Sequence, residues 1–422
     1  MQTTSKLMLA AGFSAALVVP AIGGPEPVSE PAPAPANNGD WCEWLQNKPG
    51  KLPIPENPFL QEFQLEGRLQ FQMAYMDGED VNGDDFSSRF NEFRRARLGF
   101  KTKFLQYFGA KLAVDLVDDQ RKDAEPNSGL GWGYEQLDEA YLSFDIKKAF
   151  GAGPLDSLQL LYGRQKFVLG YESHTSSTKL LTVERSAIAN KVYDSARPTG
   201  VTLEGEWDKW SFAASVYSST TDGADNKAFN GWQDDLFYLT HLGYQATDDL
   251  AFGFDWTYNH ADVSAGEDSV LPYAWATSFN VAYEPGPWGV IGDFIYGDNG
   301  GARLGNPVGE RDDFWGIVVM PYYWIVDEKL QAVAQYQYGG ADDAEGIRVN
   351  SRYGRARGTG GTSTIDVNSG RGDSHHSFYG GLNYYLCGHN AKVQAGIEYQ
   401  TMDTPVGDFD ELTYLLAFRT FF

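Results

Sequence analysis

From Pro58 onward the chain is written in segments of about 9 to 16 residues with alternating polarity, and the polar breaks between them are by turns short and long. Sixteen such segments can be marked: 59–76, 91–104, 107–118, 135–147, 157–167, 198–207, 209–218, 235–246, 249–260, 272–284, 287–297, 312–325, 329–339, 375–387, 390–401 and 411–422. The short breaks carry turn chemistry, as in Glu284-Pro285-Gly286-Pro287 and Val326-Asp327-Glu328. The long ones, near 77–90, 119–134, 168–197, 219–234, 261–271, 298–311, 340–374 and 402–410, are rich in Asp, Gly, Asn and Ser. An even strand number with short turns on one side and long loops on the other describes a transmembrane antiparallel β-barrel with both termini in the periplasm. Sixteen strands leave an aqueous lumen.

The faces agree with that fold. In 59–76, Phe63, Leu65, Leu69, Phe71, Met73 and Tyr75 share one side, while Glu62, Gln64, Glu66, Arg68, Gln70 and Gln72 share the other. The last segment, ELTYLLAFRTFF, sets Leu412, Tyr414, Leu416, Phe418 and Phe422 against Glu411, Thr413 and Arg419. Segment 312–325 is apolar on both faces, so its lumen side cannot be assigned. Mean hydropathy is only -0.39 although the chain holds 24 Tyr, 26 Phe and 11 Trp. Barrels combine these properties, because lipid-facing residues alternate with polar ones and aromatic girdles ring both interfaces. A soluble propeller would need repeats of about 40 residues, and none is visible.

The N-terminus reads as an export signal, with Lys6, an apolar run Leu7 to Val19, and Ala21-Ile22-Gly23 as the cleavage site. This divides the chain into a signal peptide 1–23, a proline-rich periplasmic spacer 24–57 and a barrel 58–422. The address is the outer membrane of a Gram-negative-type bacterium, with its lipid and lipopolysaccharide as neighbours. A net charge of -24 excludes nucleic acid as a partner, since phosphate binding needs a basic surface. Cys42 and Cys387 are the two cysteines. Both fall at the periplasmic rim, where a disulfide would tie the N-terminal segment across the barrel opening; alkylation of both thiols would refute it.

Catalysis is not written here. The histidines at 174, 241, 260, 375, 376 and 389 show no HExxH spacing, and there is no G-x-S-x-G or Cys-x-x-Cys. No cofactor or metal site is expected, and His375-His376 reads as a loop dipeptide.

Two stretches resemble the phosphate-selective porin O and P family. Residues 92–103, EFRRARLGFKTK, are similar to an early strand opened by an FRRARLG-like sequence. Residues 163–205, with GRQK, SSTKLLTVERS and RPTGVTLEG, are similar to the family's third-loop region. The resemblance implies a homotrimer of sixteen-stranded porins whose third loop folds into the lumen, where basic residues draw anions inward. Arg95 matches the second arginine of the FRR motif, Lys166 the lysine that ends the family's G-Q-F-K, and Glu184 and Arg185 the Glu-Arg of its ERS. Gln165 stands where that motif has an aromatic.

With Ala96, Leu98 and Phe100 toward lipid, Arg95, Arg97, Lys101 and Lys103 project inward as a ladder along about 27 Å of strand. Lys111 joins from the next segment, and Lys166, Lys179, Arg185, Lys191 and Arg197 of the third loop would face it. Such a ladder would concentrate anions. The competing expectation is neutralisation by carboxylates on the same faces: Glu62, Glu66, Asp115, Glu139, Asp145, Glu204, Glu206, Asp255 and Asp293. The expected function is passive diffusion of small hydrophilic solutes and ions, with an anion or phosphate preference if the ladder stays unpaired. The alternative is a closed barrel serving as a surface adhesin or structural protein.

Overall fold

The computed structural model describes residues 39–47, 50–117, 132–193, 196–218, 236–260, 270–300, 312–348, 352–354 and 365–422. Sixteen strands form the barrel: β1 (Leu60–Glu79), β2 (Asp85–Phe104), β3 (Phe108–Val117), β4 (Trp132–Asp145), β5 (Ser157–Arg164), β6 (Thr199–Trp207), β7 (Trp210–Ser218) and β8 (Leu236–Thr247), then β9 (Leu250–Asn259), β10 (Trp275–Tyr283), β11 (Trp288–Asp298), β12 (Asp313–Val326), β13 (Leu330–Ala341), β14 (Ser374–Tyr385), β15 (Ala391–Asp403) and β16 (Phe409–Phe421). Each pairs antiparallel with its sequence neighbour, and β16 closes on β1 from Asp410↔Glu79 to Phe421↔Arg68. Every expected segment is a strand.

Large apolar side chains such as Leu65, Met73, Leu142, Phe279 and Phe378 lie exposed on the outside, where the hydrocarbon of a bilayer would cover them. The first break is shorter than its polarity suggested. Strands β1 and β2 continue to Glu79 and from Asp85, so the connection is a tight turn built on Asp80, whose Oδ1 accepts from Asn82 N (2.9 Å). Here the polarity inverts: Asp85, Ser87 and Arg89 point out while Phe86 and Phe90 point in and pack with Met76 and Tyr353. A strand that rises past the bilayer meets water outside and folded loops inside, so a polar stretch reads as loop. The last long break shrinks likewise, to residues 404–408.

The N-terminal span also departs from expectation. Within the presumed spacer, α1 (Gly39–Gln46) buries Cys42 and Leu45 against Ala391 and Phe422. Lys51–Pro53 then pairs with Glu62–Gln64 of β1, continuing the seam where β16 ends. Cys42 and Cys387 are joined in a disulfide that closes a separation of 345 residues. A short α2 (Ile146–Phe150) sits in the β4–β5 turn, capped by Asp145, whose Oδ1 accepts from Lys148 N at 2.8 Å. Asp145 therefore serves a turn, not the lumen.

Candidate functional site: a lumen crossed by the third loop

The chain between β5 and β6 turns inward and crosses the lumen, carrying α3 (Tyr171–His174) and α4 (Ala187–Tyr193). Its anchors come from opposite walls. Gly170 N donates to Asp255 of β9 (2.8 Å) and Tyr171 N to Asp293 of β11 (2.8 Å). Ala187 N reaches Gln337 of β13 (2.6 Å), Lys392 Nζ of β15 reaches Leu180 O (2.6 Å), and Arg419 Nη1 of β16 reaches Ser177 O (3.2 Å). Arg419 thus faces inward as expected, but it holds a carbonyl.

An apolar core accompanies these bonds. Phe167, Val168, Leu169, Ile188 and Val192 of the loop pack with Tyr217, Phe237, Ile295, Phe314 and Val318 of the wall, all buried. Met320 and Tyr322 meet Tyr171 and Leu181. This explains why β12 is apolar on both faces: its inner side chains are the floor on which the third loop lies. The close approach is also written in glycine, since a Cβ on Gly316 would collide with Ile188 and with Tyr338 O.

The basic ladder points inward, and most of its rungs carry carboxylates. Arg97 binds Asp115 (3.0 Å) and Asp138 (2.7 Å), Lys101 binds Glu66 (2.8 Å), Lys111 binds Glu139 (2.5 Å), and the more open Lys103 lies 3.7 Å from Glu62. Arg95 donates to Gln70 Oε1 at 2.8 Å. Strand β2 carries a bulge here, because Gln70 faces Arg95 while Phe71 faces Phe93. The bulged residue is Arg94, which also turns inward and binds Glu184 at 2.8 Å. Strict period two from Ala96, Leu98 and Phe100 would put Arg94 on the lipid face; the register shift brings it in.

The loop residues fall into two groups. Glu184 accepts from Arg94 and from Gln72 Nε2 (2.8 Å), and Arg352 of the seventh loop approaches it at 3.8 Å while binding Glu92. Arg352 of the seventh loop therefore lies inside the lumen. Close by, Lys166, Arg185 and Arg197 stand over the Tyr193 ring at 5.4, 5.2 and 5.8 Å from its centroid. Arg197 also donates to Tyr193 Oη (2.8 Å) and binds Asp138 (2.9 Å). Burial, with Arg185 and Arg197 nearby, brings the Lys166 ammonium down to about 7. Burial alone would push the Tyr193 phenol up, but Arg197, Lys166 and Arg185 outweigh it and bring it to about 7.

Two expected members stand apart. Lys191 lies across the loop, donating to Asn299 Oδ1 (2.7 Å) over the Phe314 ring. Lys179 is half-buried in the turn after α3, with no hydrogen-bond or ion-pair partner for its side chain among the described residues. A third grouping was not expected at all: His174, His241 and Asp255 meet between α3 and the β8–β9 hairpin. Their sequence spacing fits no motif, although His241 and Asp255 are equidistant from the turn and face each other in register.

A family model, phosphate-selective porin O and P, matches residues 63–305. The chain belongs to that family. The porin is thus an outer-membrane channel of a Gram-negative-type bacterium, not a protein whose fold or family points to catalysis. Solved structures agree on the fold at low identity. The outer membrane channel DcaP of Acinetobacter baumannii superposes with a TM-score of 0.54 at 11% identity, over 88% of this chain and 99% of that one. OmpF of Salmonella typhi gives 0.52 at 12%, over 87% and 100%, and an anion-selective porin from Comamonas acidovorans gives 0.51 at 10%, over 85% and 99%. No curated protein matches the sequence.

Proposed function

We propose that the porin is a general diffusion channel for small hydrophilic solutes and ions, with a weak ion preference set at the third loop. One observation carries this reading: Arg97, Lys101, Lys103 and Lys111 each have a carboxylate beside them, so the ladder presents dipoles more than net charge. A passage with both signs on its walls has a transverse field and discriminates little between anions and cations. Arg95, Arg185 and Arg419 are occupied by an amide or by carbonyls of the loop. They stiffen the constriction and leave a modest positive bias. Planar-bilayer recording in a potassium chloride gradient tests this. The reversal potential should lie closer to zero than to the Nernst value of either ion, and phosphate should not block the chloride current. A sustained phosphate block would establish a specific site and defeat the proposal.

The working form is a homotrimer in lipid and lipopolysaccharide, delivered after removal of residues 1–23. Family resemblance supports the first part and the Lys6-to-Gly23 pattern the second. Native mass measurement of the purified protein, with N-terminal mapping, checks both.

A further inference from the structure

The cluster at the base of α3 has the composition of a metal centre. His174 comes from the third loop, His241 from β8 and Asp255 from β9, and their ligand atoms all lie within 4.8 Å of one another. His174 Nε2 is 2.9 Å from Asp255 Oδ1, and His241 Nδ1 is 2.6 Å from the same oxygen. The three residues are only 4%, 3% and 0% exposed. We propose that His174, His241 and Asp255 bind one divalent transition-metal ion of the zinc class, and that this ion pins the third loop to the barrel wall.

Geometry argues for a site over an ordinary buried hydrogen-bond pair. Two imidazoles, their centroids 4.5 Å apart, converge on one carboxylate: His241 Nδ1 on Oδ1, and His174 Nε2 on both oxygens, 2.9 Å from Oδ1 and 3.0 Å from Oδ2. Two of the ligands are preset on rigid strands, because His241 and Asp255 are cross-strand partners. Gly170 N donates to the other carboxylate oxygen at 2.8 Å and fixes the direction of Oδ1.

The donor set selects the ion. Calcium and magnesium favour oxygen ligands throughout. Two imidazoles with one carboxylate suit zinc or its neighbours, with water filling the fourth position. Bonds of 2.0–2.1 Å in a tetrahedron place ligand atoms about 3.3 Å apart, so the pairs at 2.9 and 2.6 Å would open by about 0.4 and about 0.7 Å to admit the ion. The ion would be enclosed when α3 is seated, and uptake should therefore be slow.

The site requires the barrel and its inward loop but no conduction, so it is tested separately from the channel reading. Folded porin in detergent, stripped with EDTA, is titrated with Zn2+ by calorimetry and with Co2+ by visible absorption. One equivalent per chain is expected, with the intense visible bands of a low-coordinate cobalt site. His174→Ala and His241→Ala should each weaken Zn2+ binding by more than about tenfold, whereas His260→Ala, exposed elsewhere, should not. Heat-modifiable migration on gels confirms that each variant is folded; His174 lies on the loop, so its variant carries the test if His241→Ala fails to fold. Absence of stoichiometric uptake, or uptake unchanged by His174→Ala, overturns the proposal.

Discussion

Tyr193 and Lys166 are the two groups through which the constriction's charge should respond to pH near neutrality. The Tyr193 ring lies beneath Lys166, Arg185 and Arg197, and both the phenol and the Lys166 ammonium titrate near 7. As pH rises from 6 to 8, Lys166 loses a positive charge and Tyr193 gains a negative one, so the two shifts act in the same direction. Chloride preference should fall over that range, and Tyr193→Phe should remove roughly half of the change by eliminating one of two titrating groups. Reversal potentials at the two pH values measure this; identical values in the parent porin would refute it. Glu184→Gln tests the other group. It leaves Arg94 and Arg352 without that carboxylate, and should move the reversal potential toward chloride while loosening the loop by about 3 kcal/mol. Period two in the sequence was enough to place Arg95 and Arg97 inward. Arg94 was hidden because a bulge leaves no mark in residue types, and the Tyr193 cage because its cations are separated by long stretches of loop.

The third loop is held as much by packing as by charge, and α4 is its chief apolar contact. Ile188 sits against Gly316 of β12 and near Gly339 of β13, inside the cluster that includes Phe314 and Val318. Ile188→Ala should cost the docked loop about 2–5 kcal/mol through lost burial and a residual cavity. The barrel itself should stay closed, so the effect is read as faster trypsin cleavage at Arg185 or Lys191, both now buried, without loss of heat-modifiable migration. Unchanged cleavage would mean that the polar anchors alone seat the loop. All sixteen strands were legible in the sequence because each must satisfy lipid on one face. Helix α1 was not, since eight residues beside a proline-rich run carry too weak a period, and its stability comes from Cys387, Ala391 and Phe422. The double apolarity of β12 was visible, but its cause lay in residues more than a hundred positions away.

At the scale of the whole molecule, the weak point of a closed barrel is the seam where its first and last strands meet, since no turn joins them. Here that seam has three supports. Phe422 N donates to Gly67 O (3.0 Å) and Gly67 N to Phe422 O (3.2 Å), extending the β1–β16 ladder by one residue. Below it, Lys51–Pro53 takes over the edge of β1, and the Cys42–Cys387 disulfide holds α1 beside both. The terminal aromatic was legible from the start as a membrane-strand feature; its partner was not, because Gly67 looks like any other glycine in a strand. The Phe422 ring lies over the place where a Cβ on Gly67 would project. That contact predicts a specific pattern of coupling. Gly67→Ala should lower the temperature at which the barrel opens on gels, because methyl and ring compete for one space. Phe422→Ala should lower it too, by removing the cover. In the Phe422→Ala background, however, Gly67→Ala should cost little more, since the space is already empty, and the two effects should be markedly non-additive. Additive losses would show that ring and glycine act independently, and that the seam is held by its backbone ladder and disulfide alone.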